Sequence, residues 1–327
     1  MAKARLLMST VFAAAVLAAC SGGKPEEKKP EAAATPAPAA ASDAKPVVVS
    51  SKIDTEGTLL GNIILLTLES NGIKTQDKLS LGGLPIVRKA IIAGEVDILP
   101  EYTGNGKFMF KEAENDAGWK DITKGWELVK KLDYDANKLV WLPAANANNT
   151  YALAVREDVA TPNSLKTMSD FGKWIAGGGK VKMIVSQEFV NFGGALPEFE
   201  KAYGFKAKPD QMVVVSGGDT ANTIKAAAEQ TNGVNTAMVY GTDGAIAPSK
   251  LVVMEDDKGT QVVYAPAPVV RESVLKAHPE IEKVLEPVFK SLNADVLRGL
   301  NARIQVDGEA SRAVAESYLK EKGFIKK

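Results

Sequence analysis

Apolar residues in this chain come in two alternating forms: short β-branched runs, and longer stretches repeating every three to four positions. Val47-Val48-Val49 opens a strand over 47–52 that ends in Ser50-Ser51-Lys52. Leu59, Leu60, Ile63, Ile64 and Leu68 follow at helical spacing, with Asp54 or Thr55 to cap the helix and Asn71-Gly72 to stop it. A short strand over 78–81 leads through Gly82-Gly83 to a helix that Pro85 starts and Gly94 stops. Val96 to Leu99 reads as a buried strand that breaks at Pro100 into Glu101-Tyr102-Thr103-Gly104-Asn105-Gly106. This β-α-β-α-β order with short loops is the pattern of a parallel sheet.

The alternation then repeats. Trp119 to Tyr134 predicts a surface helix with Trp126 and Leu128 packing, and the polar stretch from Asn146 to Thr150 predicts a crossing to a second lobe. Strands over 151–155, 182–185, 212–215 and 236–240 alternate with helices over 169–175, 196–203 and 220–230. Leu251–Met254 and Val262–Tyr264 predict the return to the first lobe, and 273–322 predicts helix with breaks at Pro279 and Gly308. The fold class expected is α/β: two parallel-type sheets joined by two crossings, a hinged clamshell with a ligand between the lobes. Lobe 1 takes 46–146 plus 244–327, and lobe 2 takes 147–243.

The first residues change where this protein is expected to be. Lys3 and Arg5 precede an apolar run over 11–16 and the tetrapeptide Leu17-Ala18-Ala19-Cys20. The run is too short to span a bilayer, and the tetrapeptide resembles a bacterial lipobox. Residues 1–20 are therefore read as a lipoprotein signal peptide, with Cys20 the lipidated residue of an exported, periplasmic, membrane-anchored chain. Cys20 is also the only cysteine, which excludes disulfides within the chain and cysteine-based metal sites. Residues 21–45, rich in Lys, Glu, Pro and Ala, cannot bury a core and read as a disordered tether.

The whole chain carries 40 basic and 40 acidic residues, and removing Lys3 and Arg5 leaves a net charge of −2. That balance points to no nucleic acid and no polyanionic partner. A monomer contacting the membrane only through a lipid anchor is expected, with no cofactor and no metal.

A catalytic set is hard to find. The single histidine, His278, lies before Pro279 in a charged helical stretch and reads as a solvated residue. No Ser-His-Asp set, His-Glu-x-x-His helix or phosphate-loop glycine pattern occurs. Glu101, Asp219 and Asp243 stand at strand ends, but fit better as a lobe-stabilising partner, a helix cap and a turn residue. A binding site is easier to assemble. Tyr102 and Tyr240 offer aromatic faces, Lys52 a positive charge, and Thr103, Asn105, Asn148, Asn149 and Thr150 hydrogen bonds, all at strand ends or the crossing. Gly82 and Gly83 lie at the same edge of the sheet. Aromatic faces favour cations, quaternary ammonium above all. From spacing alone, core positions with satisfied hydroxyls suit Tyr102 and Tyr240 equally well.

Several longer stretches carry a resemblance. They are Ser51-Lys52-Ile53-Asp54-Thr55-Glu56-Gly57, Asp97-Ile98-Leu99-Pro100-Glu101-Tyr102-Thr103-Gly104 and Asn148-Asn149-Thr150-Tyr151. Further on come Gly218-Asp219-Thr220 through Lys225-Ala226-Ala227-Ala228, Tyr240-Gly241-Thr242-Asp243-Gly244, and Tyr264-Ala265-Pro266-Ala267-Pro268-Val269-Val270-Arg271. Nearly the whole mature chain resembles the osmoprotectant-binding components of bacterial ABC importers, the glycine betaine/choline group. The resemblance implies a type II periplasmic binding protein fold that delivers a small solute to the transmembrane subunits of a permease. It implies that Tyr102 and Tyr240 cage a trimethylammonium head, with Thr242 and Asp243 in the turn beyond Tyr240, and that Lys52 faces the ligand carboxylate. Two positions depart from the pattern. No tyrosine lies between Tyr203 and Tyr240, and Phe192 aligns where an arginine for the carboxylate is often found. Weak glycine betaine binding is expected from Phe192, with choline competing well.

Overall fold

The computed structural model describes residues 45–216 and 219–326. The signal peptide with Cys20, the tether up to residue 44, and Gly218 of the Gly-Asp-Thr stretch lie outside the described residues.

The chain begins with β1 (Val47–Lys52), α1 (Thr55–Ser70), β2 (Thr75–Gly82), α2 (Leu84–Ala93) and β3 (Ile98–Tyr102). The Asp54 side chain caps α1 by accepting from Gly57 N at 2.8 Å. Leu59, Leu60, Ile63, Ile64, Leu65 and Leu68 make α1 the most deeply buried helix of this half, so its apolar pattern is set by the core around it. β3 does not break at Pro100. It runs on to Tyr102, because Pro100 stands opposite Pro268 in an antiparallel pair, where neither ring needs to donate a hydrogen bond.

A short helix α3 (Gly106–Met109), α4 (Ile122–Asn137) and β4 (Leu139–Trp141) complete the first pass. α4 begins at Ile122, three residues later than its apolar pattern suggests, because the Asp121 carboxylate accepts from the amides of Thr123 and Lys124. Arg88 of α2 forms a two-pronged ion pair with Asp133 of α4, at 2.8 and 2.5 Å. Trp141 Nε1 and Asn137 Nδ2 donate to the same carboxylate, each at 2.8 Å, and Asp133 is wholly buried.

The second pass holds β5 (Tyr151–Arg156), α5 (Glu157–Ala160), α6 (Met168–Ala176), β6 (Met183–Ser186), α7 (Gln187–Asn191), α8 (Leu196–Tyr203), β7 (Met212–Val215), α9 (Thr220–Ala228), β8 (Thr236–Tyr240) and β9 (Leu251–Val253). The chain returns through β10 (Pro266–Arg271) and ends in α10 (Glu272–Ala277), α11 (Glu280–Ser291), α12 (Ala294–Gln305) and α13 (Ser311–Glu321).

Two five-stranded sheets result, ordered β2-β1-β3-β10-β4 and β7-β6-β8-β5-β9. Each keeps a parallel trio, and each takes in antiparallel the strand that has just crossed over, β10 in one and β5 in the other. The sheets are therefore mixed. The expected return at Leu251–Met254 needs correcting: β9 is the edge of the second sheet, with Val252 opposite Val155. A three-residue apolar strand suits either sheet, and the hydrogen-bonding edge that β5 leaves free decides the matter. The second lobe thus continues past residue 243. Val262–Tyr264 form no strand but run beside the first crossing, where Asn149 N donates to Tyr264 O at 3.0 Å.

Candidate ligand-binding site

Residues at or just past the carboxyl ends of β1, β3, β6 and β8 (Lys52, Tyr102, Glu188 and Tyr240) line one cleft, the position where open α/β folds bind ligands. The cleft encloses about 100 Å³ and is lined by residues from both lobes and both crossings. β1 contributes Lys52, with Ile53 and Asp54 after it. The start of α2 contributes Gly83 and Leu84. β3 and its turn contribute Tyr102 and Asn105. The first crossing brings Asn149 and β5 brings Tyr151; the second crossing brings Tyr264. Glu188, Asp219 and Tyr240 close the far side.

Four tyrosines make this an aromatic site. Tyr151 is at its centre, with ring centroids 5.2 Å from Tyr240 and 5.8 Å, edge-on, from Tyr264. Burial pushes the hydroxyls of Tyr102, Tyr151, Tyr240 and Tyr264 above the ordinary phenol value, so each stays protonated and can donate. Tyr102 OH donates to Glu56 at 3.0 Å and Tyr151 OH to Glu188 at 2.8 Å. The Tyr264 hydroxyl is buried in the lining and has no hydrogen-bond partner among the described residues.

Carboxylates outnumber cations in the lining. Lys52 has Asp54 beside it and Glu188 and Asp219 on the far side of the cleft, with Glu56 and Glu101 buried. Its Nζ lies 4.2 Å from the Tyr102 ring centroid and 3.9 Å from the Asp54 carboxylate. Burial alone would lower the Lys52 pKa, but Asp54, Glu101, Glu188 and Glu56 together hold it above the ordinary lysine value. The site already supports one ammonium group on an aromatic face.

The structure gathers Lys52, Gly83, Tyr102, Asn105, Asn149 and Tyr240 of the sequence-predicted set into the lining. The others lie beside it. Thr103, in the turn after β3, and Thr150, in the first crossing, both bond to the second crossing: Thr103 N donates to Ala265 O, Thr103 Oγ1 to Val263 O, and Thr150 Oγ1 to Val262 O. Asn148 accepts from Tyr264 N at 2.9 Å. Gly82 receives Ile53 N on its carbonyl, and a side chain there would meet Ile86 at 2.7 Å. Thr242 is buried and offers its carbonyl to Asn301. Asp243 accepts from Tyr240 N and Thr220 Oγ1 and holds the turn; burial pushes its pKa up to about 6 against those donors.

Phe192 is not one of the lining residues, though its ring centroid is 6.2 Å from that of Tyr151. Its ring centroid is 3.9 Å from that of Phe108, so the two rings join first-lobe and second-lobe rims at the cleft edge. Glu188, one turn earlier on α7, is the residue of that stretch that faces the cleft. Tyr151, Tyr264, Glu188 and Asp54 were missed as site residues from the sequence. Tyr151 and Tyr264 nevertheless lie within two of the family-like stretches, each beside a crossing.

The comparisons fit this geometry. The model for the substrate-binding domain of ABC-type glycine betaine transport systems matches residues 45–321. The chain is 56% identical over 283 residues to the glycine betaine-binding protein YehZ of Escherichia coli K12, covering 86% of this chain and 92% of that one. The structure of apo YehZ from Escherichia coli superposes with a TM-score of 0.67, covering 86% of this chain and all of that one. The chain is also 28% identical to an ergothioneine transport permease/ergothioneine binding protein of Helicobacter pylori strain G27, over 88% of this chain but only 49% of that longer protein.

Proposed function

Because this chain belongs to the family of substrate-binding domains of ABC-type glycine betaine transport systems, we propose that it is the lipid-anchored solute-binding component of an importer. It captures a quaternary-ammonium compatible solute, of the glycine betaine or choline type, between its two lobes. The single observation that carries this reading is the cleft itself: four tyrosines and three carboxylates around one lysine, contributed by both lobes and both crossings. A trimethylammonium head has no hydrogen to donate, so aromatic faces and nearby negative charge are what can hold it. Closure brings the lobes together on the solute, and the closed form docks on permease subunits. Among the described residues, no helix is long and apolar enough to cross a membrane. The chain acts by binding and carries out no chemistry on its solute.

Lys52, Gly83, Tyr102, Asn105, Asn149, Tyr151, Glu188, Tyr240 and Tyr264 are the proposed ligand contacts. The excess of carboxylates favours a solute without one, so choline should compete well with glycine betaine. Calorimetry against glycine betaine, choline, carnitine and ergothioneine tests the reading. Saturable binding of at least one of them, with the solute recovered unchanged, supports it; no binding to any of the four removes it.

Two smaller effects follow. Removing the Tyr102 or the Tyr240 ring should weaken binding by about 1–2 kcal/mol each while the protein stays folded. If both alanine variants unfold, these rings hold the core and not the solute. Cys20→Ala should leave the protein without lipid, since no other cysteine is present; a wild-type protein whose Cys20 is unmodified by mass spectrometry would contradict the anchor.

A further inference from the structure

Glu56 sits in the first turn of α1, buried behind the cleft wall. Its Oε1 accepts from the Tyr102 hydroxyl at 3.0 Å and from Asn149 Nδ2 at 2.9 Å, and its Oε2 accepts from Asn301 Nδ2 at 2.7 Å. Asn301, on α12, also donates to the Thr242 carbonyl beyond β8 at 2.9 Å. One carboxylate therefore joins a cleft tyrosine, the first crossing, and, through α12, the end of a second-lobe strand. The other amide atoms add a second observation: Asn149 Oδ1 and Asn301 Oδ1 are both buried and have no partner among the described residues. A proton on Glu56 finds an acceptor if either amide turns over. The same side chains can thus accommodate both protonation states, but only the ionised carboxylate accepts from all three donors at once.

We propose that Glu56 is a positioning residue that tunes the site for cations: when ionised it fixes Tyr102 and Asn149 in the arrangement that receives a quaternary ammonium, and binding therefore draws a proton from it. The inference rests on the function proposed above. Burial pushes the Glu56 carboxyl up to about 7, against the Thr242, Asn301 and Tyr102 side chains that favour its charged form. The charged and titratable groups that act on it are Tyr102 on β3, Asp54 before α1 and Lys52 at the end of β1; Asp243 follows Thr242 in the chain and holds the turn beyond β8. From α12 only the neutral Asn301 reaches it, Arg298 being turned to the Gly241 carbonyl.

The sign follows from which form binds. If the ionised form takes the cation, apparent affinity scales with the ionised fraction. With half-ionisation near pH 7, affinity should fall about tenfold from pH 8 to pH 6. By reciprocity, close to one proton should be released per solute bound at the acidic end of that range.

Choline chloride is the probe, since its charge does not change over this range. Calorimetry at pH 6, 7 and 8, in two buffers of different ionisation enthalpy, should show the tenfold loss and a buffer-dependent heat from the released proton. Glu56→Gln should flatten both, whereas Asp243→Asn should keep both. A wild-type profile that is flat, a slope that survives Glu56→Gln, or a slope that Asp243→Asn removes would each overturn the proposal. If Glu56→Gln does not fold, infrared difference spectra of wild type at pH 6.5 serve instead: choline should bleach a protonated carboxylic acid band, and an unchanged band overturns the proposal. Absence of binding to any quaternary ammonium at any pH would overturn the function proposed above and this inference with it. Binding with a flat pH profile would overturn this inference alone.

Discussion

Asp133→Ala is expected to cost about 3–5 kcal/mol of folding stability. The carboxylate is wholly buried and accepts from Arg88 twice, from Trp141 and from Asn137. Removing it strands a guanidinium in the interior with nothing to neutralise it. Replacing both partners with apolar residues should cost far less, because the desolvation of two charges disappears along with their attraction. Urea unfolding of Asp133→Ala, and of Arg88→Met paired with Asp133→Leu, gives the comparison. A single-variant loss below about 1 kcal/mol, or a double variant weaker than the single, would show that this pair does not clamp α2 to α4. The clamp also bears on the cleft, because α2 begins at Leu84, beside Gly83 in the lining.

Glu188→Arg is expected to weaken choline binding by about 100-fold. Exchanging a negative for a positive charge near a bound cation changes the interaction by about 3 kcal/mol at the effective dielectric of a half-open site. Glycine betaine carries a carboxylate as well, so it should lose much less, and the preference between the two solutes should reverse. Glu188→Gln, which removes charge without reversing it, should give an intermediate loss. Calorimetry with both solutes on the three proteins settles the point. Equal losses for choline and glycine betaine in Glu188→Arg would mean that the side chain acts through the packing of Tyr151, its hydrogen-bond partner, and not through charge.

Most of the fold could be read from the chain because the apolar rhythm changes between two and nearly four at each element boundary. The ends of β1 and β8 could be read too, and with them Lys52 and Tyr240, because each strand stops in polar or aromatic residues; Tyr102 could be located, but as a turn residue beyond a break at Pro100 and not as the last residue of β3. Other positions could be located but their partners could not. Thr103, Asn148 and Thr150 stand beside the cleft, yet they bond to the second crossing, which lies more than 100 positions further along the chain. Glu188 was hidden by the shortness of α7. A five-residue helix shows too little periodicity to reveal which face turns inward, and the first turn rather than the last meets the cleft. Tyr264 gave no signal of its own because its place depends on a loop lying alongside Asn149. Likewise β9 carries no mark of its sheet; β5 supplies that.

The two crossings leave a kinetic consequence. Asn149 and Tyr264 are hydrogen-bonded to each other across the crossings, and both also line the cleft. Swinging the lobes apart is therefore expected to re-aim two walls of the proposed solute site. Escape of the solute and flexing of the joint are then expected to share one barrier, with the lifetime of the loaded protein set at the joint. Substitutions along the crossings should accordingly act on the dissociation rate far more than on the rate of capture.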